Sequence, residues 1–347
     1  MSGKRILLIT GLTIGVLSAM ILTTAGGVFY TWVYRPCLTQ VNKDSVYFFV
    51  KTGTQYSQVY SDLKQSGWLK YNRGFDWVAR KKEYPANLKP GRYLLLKGMS
   101  NSQVVDVLRS GKQAEVHLVF KTTRHFDRLA GIISKQIEAD SASLINAFRD
   151  TSVMKSLGFT TDQWRAMFIP NTYRFFWNTS AKQFLDRMNL EFRAFWNSAR
   201  ESKLKDIGLD KFQVMALAAI VQEETFMPAD MPIVAGVYMN RIRKGIKLQA
   251  DPTVIFALGD YSIKRVLHAQ LTVDSPYNTY KYSGLPPGPI RIPSLEAIEA
   301  CLNYTKHDYL YFCARDDFSG YSAFARTYQE HLANARKYHR AMDKIKP

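Results

Sequence analysis

The sequence predicts an α+β protein carried on an N-terminal transmembrane helix: a small strand-and-helix module, then a larger, mainly helical domain with a small β element. Three observations lead there. Residues 6–34 contain no charged side chain. Between 46 and 120, strand-like and helical patterns alternate, and from His125 onward helical periodicity dominates. With 347 residues and 46% hydrophobic content, the chain is long enough to bury more than one core.

The apolar run exceeds the ~20 residues a helix needs to cross a bilayer. Lys4 and Arg5 precede it, which by the positive-inside tendency puts residues 1–5 in the cytoplasm and everything after Tyr34 outside. Tyr30, Trp32 and Tyr34 cluster at the far end, where aromatic rings suit the headgroup layer. A cleaved signal peptide is the competing reading, but no A-x-A-like site lies before the end of the run. Cys37 has no small-residue lipobox ahead of it. A single-pass anchor in the cytoplasmic membrane is therefore expected, with the folded part extracytoplasmic.

The formal net charge is +18, which favours anionic partners. That charge is spread in short groups such as Arg80-Lys81-Lys82, without an arginine-rich tract, zinc-finger spacing or RNP-like motif, so nucleic acid is not expected as a partner. Three cysteines (Cys37, Cys301, Cys313) without C-x-x-C give no disulfide framework. Six histidines without ligand spacing suggest no metal, and no cofactor is expected.

A connector is expected over 35–45. In the module over 46–122, Val46–Lys51 reads as a strand, Val59–Leu63 opens a helical pattern, Phe75–Lys82 reads as a second helix and Arg92–Leu96 as a strand after the Pro90-Gly91 turn. Ser100 and Gln103 form a capping box for a helix that Gly111 stops. Val116–Phe120 alternates as a strand. In the domain over 123–347, helices are expected over Phe126–Ile137, Ser143–Phe148, Phe184–Phe195, Phe212–Glu224 and Ile233–Arg243. Phe168–Phe175 reads as turn-rich, and a hairpin and helix close the chain.

Chemistry concentrates in three places. Val214–Val221 is apolar on every side, the mark of a buried helix, and it runs into Gln222-Glu223-Glu224-Thr225. Glu224 continues the stripe of Leu217, Ile220 and Val221, and Pro228 requires the helix to end soon after. Burial and the negative helix end both raise a carboxyl pKa, as a general acid requires. Ordinary surface acids at a solvated helix end are the plain alternative. Next, Asp251 before Pro252 reads as an N-cap, with Gln249 facing a ligand. Finally, Tyr277-Asn278-Thr279-Tyr280 and Gly284–Ile290 form a rigid Pro/Gly-rich, polar-aromatic loop of the kind on which sugars stack.

Ala218–Thr225, Val237–Gly245, Leu248–Ile255, Tyr277–Tyr280 and Gly284–Ile290 occur in the order and spacing of one family. The chain resembles the MltG/YceG-like endolytic murein transglycosylases over nearly its whole length. Val46–Phe120 resembles that family's LysM-like module. Phe168–Phe175 resembles F-x-P-D-T-Y-x-F with Asn171 in place of Asp, and Thr327–His331 also matches. Where the family carries I-V-E-K-E-T this chain has Gln222 and Glu223, so the catalytic position falls on Glu224. Ala250 replaces a threonine. The usual Gly-His is not evident around Gly320–Ser322, so no histidine role carries over there.

The resemblance implies non-hydrolytic cleavage between N-acetylmuramic acid and N-acetylglucosamine, giving 1,6-anhydro ends. Glu224 would act as acid and then base, with Gln249, Asp251, Asn278 and Tyr280 expected to position substrate. It also implies glycan strands as substrate and work beside membrane-bound glycan synthases. Alternatives are a hydrolase using Asp251 as a second carboxylate, or a non-catalytic wall-binding scaffold.

Overall fold

The computed structural model describes residues 3–345, with side chains from 10 to 344. Met1 and Ser2 of the expected tail lie outside the described residues, as do the side chains of Lys4 and Arg5. The chain is a mixture of helices and small sheets in two compact units. One holds the residues up to His117 together with Gln136–Glu138 and Arg174–Thr179; the other holds the remainder.

The first unit begins with α1 (Gly3–Val33), of which Thr10–Val33 is long and apolar enough to span a bilayer. Then follow β1 (Ser45–Val50), α2 (Tyr56–Gln65), α3 (Asn72–Lys81), β2 (Gly91–Leu96) and α4 (Asn101–Ser110). β1 and β2 pair antiparallel, from Ser45 opposite Leu96 to Val50 opposite Gly91. Alternation turns Phe48, Val50, Tyr93 and Leu95 inward, against Val59, Leu63, Phe75, Val104 and Leu108. The capping box at Ser100 forms in both directions, and Gly111 ends α4 in the left-handed conformation.

The segment read as a connector is woven into this core. Cys37, Leu38 and Val41 are buried with Val33, and the Cys37 and Leu38 amides both donate to the Met99 carbonyl. The expected helix over 126–137 stops short for a related reason. Glu138 turns away, its amide donating to the Trp177 carbonyl at 2.6 Å and its carboxylate accepting from the Thr52 amide and hydroxyl at 2.7 and 2.6 Å.

β3 (Val116–Phe120) carries the chain into the second unit. There follow α5 (Phe126–Ile133), α6 (Ser141–Arg149), α7 (Thr151–Ser156), β4 (Asn171–Phe175), α8 (Ala181–Phe195), α9 (Ser198–Ile207), α10 (Lys211–Glu224), α11 (Met231–Arg243), α12 (Asp251–Leu258) and α13 (Leu295–Leu302). The hairpin β5 (Tyr311–Ala314) and β6 (Ser322–Ala325) and the helix α14 (Tyr328–Ile345) close the chain. The stretch read as turn-rich is thus a strand from Asn171, paired with β3. Its Tyr173 and Phe175 point inward, and Tyr173 stacks on Phe120.

α10 is the axis of this unit. It starts with a capping box between Asp210 and Gln213, and every residue from Val214 to Gln222 is buried. It packs against α9, α11, α12 and α13. Burying its Val, Met, Leu and Ile side chains is worth about 1.5–3 kcal/mol each, so its C-terminal end is firmly held.

Candidate active site

Where α10 ends, its last three polar side chains diverge, because successive helical residues are rotated by about 100°. Gln222 accepts from the Ser294 amide at 2.7 Å. Glu223 is clamped by two arginines: Arg291 donates to it at 2.8 Å, and Arg124 donates through Nε at 2.6 Å and again through Nη2. Glu224 alone turns into a polar-aromatic cavity of about 330 Å³.

The cavity collects side chains from six segments of the chain. α10 brings Glu224; α11 brings Tyr238 and Arg241; the turn into α12 brings Leu248, Gln249 and Asp251; and Tyr280 comes from the loop beyond α12. β5 brings Tyr311 and Phe312, and α14 brings Tyr328 and His331. The Tyr238 hydroxyl donates to Glu224 Oε1 at 3.0 Å. Burial is the main reason the Glu224 carboxyl is raised, to about 7. The Tyr238 hydrogen bond and the Arg241 charge pull it back down, while Asp251 and Glu223 push it further up. Such a group is present in both protonation states at neutral pH and can give a proton and later take one.

Arg241 is 8% exposed and is fixed by main-chain carbonyls: Nε donates to Leu310 and Nη1 to Leu248, each at 2.7 Å. A permanent positive charge therefore lines the cavity wall. Burial, and then the Arg241 charge, hold His331 below the usual histidine range.

Of the substrate-contact residues expected from sequence, Gln249, Asp251 and Tyr280 line this cavity with Glu224, and Asn278 does not. Asn278 is fully buried; its amide donates to the Leu271 and Val273 carbonyls at 2.8 Å each, and its oxygen accepts from the Tyr280 amide at 3.0 Å. It shapes the loop that presents Tyr280. The expected capping role of Asp251 is also corrected. Ala250 is the N-cap, without a side-chain hydrogen bond, and Asp251 is the first helical residue. Its carboxylate accepts instead from the Tyr280 hydroxyl at 2.5 Å. Gln249 sits at φ +52°, a left-handed conformation unusual for a side-chain-bearing residue. Buried Leu248 and Ala250 on either side hold it there, and its amide donates to the Thr279 carbonyl.

Tyr238, Arg241 and His331 were not singled out from the sequence. Tyr238 and Arg241 stand three apart in Val237-Tyr-Met-Asn-Arg241, which puts both on one helix face, and that spacing was the available signal. Tyr328 and His331 fall in the Thr327–His331 stretch that resembles the family, but no role was read for them; they and Tyr311 reach the cavity through the C-terminal hairpin and helix.

Fold and site together describe a mixed helix-and-sheet protein that turns a raised carboxyl into a polar, aromatic cleft. The chain belongs to the YceG-like family, whose model matches residues 48–337. It is 29% identical over 323 residues to the endolytic murein transglycosylase of Bacillus subtilis strain 168, covering 88% of each chain. It is 27% identical to the endolytic murein transglycosylase of Streptococcus pneumoniae serotype 2, covering 91% of this chain and 63% of that longer protein. The crystal structure of a YceG-like protein from Listeria monocytogenes superposes with a TM-score of 0.53 at 27% identity, covering 84% of this chain and 99% of that one.

Proposed function

We propose that this chain is an endolytic lytic transglycosylase of peptidoglycan, with Glu224 as its single acid and base. The observation that carries this reading is the Glu224 carboxyl, raised to about 7 and turned from a rigid buried helix into the cleft. Membership of a family with relatives named endolytic murein transglycosylase supplies the substrate class. In this reaction Glu224 protonates the glycosidic oxygen as the C1–O bond between N-acetylmuramic acid and N-acetylglucosamine breaks. Positive charge develops on the ring, and the sugar's own C6 hydroxyl closes on C1. Its proton passes to Glu224, which restores the acid, and no water is consumed. Because the nucleophile is intramolecular, no second carboxylate has to activate a water.

Tyr238 holds the Glu224 carboxyl in orientation, while Asp251 and Tyr280, bonded to each other, and Gln249 form the wall against which the sugars are positioned. The strand–helix–helix–strand order of β1, α2, α3 and β2, with antiparallel strands, supports reading residues 46–122 as a LysM-like glycan-binding module ahead of a catalytic domain over 123–347. The apolar helix Thr10–Val33, with Lys4 and Arg5 before it in sequence, supports a single-pass anchor with the active site outside the cytoplasm. The family resemblance would place the enzyme beside membrane-bound glycan synthases.

The test is Glu224→Gln, which keeps size and polarity but cannot transfer a proton. It should leave folding and glycan binding nearly intact and lower cleavage by ~10²–10⁴-fold. Mass spectra of ends released by the wild type should show anhydromuramic acid, one water lighter than a hydrolytic end. Normal cutting by the variant would overturn the assignment, and ordinary reducing ends would move the reading to a hydrolase.

A further inference from the structure

Phe226, two residues past Glu224, is 83% exposed, more than any large apolar side chain described on the anchor helix, where Leu22 reaches 72%. An isolated exposed apolar residue is ordinary, but the setting of this one is not. The chain leaves α10 in an extended conformation at Thr225, whose hydroxyl accepts from the Met227 amide at 3.1 Å. Asp230, just beyond, is buried and accepts from the Ser322 amide at 2.6 Å. The segment that carries the ring is therefore pinned at both ends, and the ring is presented to solvent from a rigid base.

Phe226 forms part of the wall of a second cleft, of about 560 Å³, separate from the Glu224 cavity. Gln222 and Thr225 line it, so the two clefts open on different sides of the same helix end. Phe120 and Leu295 contribute apolar lining, while Lys121, Asn171 and Glu296 are exposed and polar. A sugar ring matches such a surface: its C–H face packs on an aromatic ring, and its hydroxyl and N-acetyl groups reach polar neighbours.

We propose that Phe226 and this cleft form a distal subsite that holds sugar rings of the glycan strand beyond the bond cut at Glu224. The inference rests on the function proposed above and adds to it the means of engaging the interior of a strand. Cutting within a strand requires sugars to be held on both sides of the scissile bond, and the Glu224 cavity alone has room for little more than the reacting residue. The two clefts are separate but adjacent, Glu224 lining one and the next residue, Thr225, the other, and that adjacency selects the same strand as occupant.

The experiment uses the full chain in detergent and stem-free glycan strands sorted by length, with anhydro ends counted by mass spectrometry. Phe226→Ala should raise KM for long strands about three- to tenfold, the size of an aromatic contact, with kcat little changed because the contact is equal in ground and transition states. The shortest strands that are cut should show no difference, and Phe226→Trp should restore wild-type behaviour. The subsite is overturned if Phe226→Ala matches the wild type on long strands. It is equally overturned if the effect appears only on strands bearing peptide stems, which would make the stem the occupant. Absence of anhydro ends from the wild type would be a failure of the proposed function itself.

Discussion

At the residue scale, the end of α10 assigns three adjacent polar side chains to three tasks. The consecutive numbering of Gln222, Glu223 and Glu224 shows that they cannot share one direction, but not which of them faces a cleft. The arginines at 124 and 291 decide that Glu223 is the paired one. Glu223→Gln should therefore cost stability more than chemistry. Its side chain is 6% exposed against 40% for Arg124 and 12% for Arg291. A loss of about 1–3 kcal/mol by urea unfolding is expected, below the range for a fully buried pair. Activity should fall far less than in Glu224→Gln. Glu224 itself should impose a pH signature. Its carboxyl is raised above the usual 4.5 to about 7, and the acid form is the one that starts the reaction. The rate should fall as pH rises past about 7. Because the folded state binds this proton more tightly than the unfolded chain, Glu224 reduces stability progressively as pH climbs from about 4.5 to 7. Glu224→Gln should thus raise Tm above pH 7 and leave it unchanged near pH 4. A variant with equal gains at both pH values would remove burial of this carboxyl as the cause.

At the element scale, α11 is the strut that places Tyr238 and Arg241, and its position depends on one glycine. A Cβ on Gly236 would lie 2.3 Å from the Thr305 carbonyl oxygen and 2.6 Å from His307 Nε2. The segment after α13 is tied down along this helix: the Thr305 amide donates to the Pro232 carbonyl at 3.0 Å, and Asn240 donates to the His307 carbonyl at 2.6 Å. Alanine would favour the helix by about 1 kcal/mol, but overpacking against main chain costs about 1–3 kcal/mol, so the clash wins. Gly236→Ala should lower stability and kcat together, since α11 must shift to relieve it; unchanged kinetics would mean that the cavity tolerates movement of Tyr238. Helices with a clear cap and stop, such as α4 and α10, were legible within a residue or two. α7, α9 and α13 were not. Half of the residues of α9 are charged and only Leu204 is buried, so it shows almost no periodicity. α7 is a six-residue helix set by its Asp150 cap, too short for a pattern to stand out.

At the scale of the whole molecule, the apolar helix takes part in the folded first unit. Val33 belongs to the core of the first unit, Asn101 donates to the Trp32 carbonyl at 2.8 Å, and Gly74 leaves room for the Trp32 side chain. A soluble fragment starting at Thr31 should therefore be more stable than one starting at Arg35, by about 2–4 kcal/mol from the lost apolar burial and the unmet amide. Urea midpoints of the two fragments provide the comparison. Equal midpoints would show that the last turn of α1 contributes nothing to the folded unit.

The sequence by itself determined what depends on neighbours along the chain. The charge-free run, the all-round apolar α10 that had to be buried, the capping box at Ser100 and the position of Glu224 at a helix end all follow from periodicity and local hydrogen bonding. Family motifs added the expected reaction. Only the tertiary structure decided what depends on residues far apart in sequence: which acid is paired and which is free, that Asn278 is structural while Asp251 holds Tyr280, and that Arg241 and His331 reach the same cavity as Glu224. The physical reason is that the Glu224 carboxyl's cavity is made largely by groups from Tyr238 to His331, distant in sequence. Burial, charge and hydrogen bonding at such a site exist only once helix, loop and hairpin have packed.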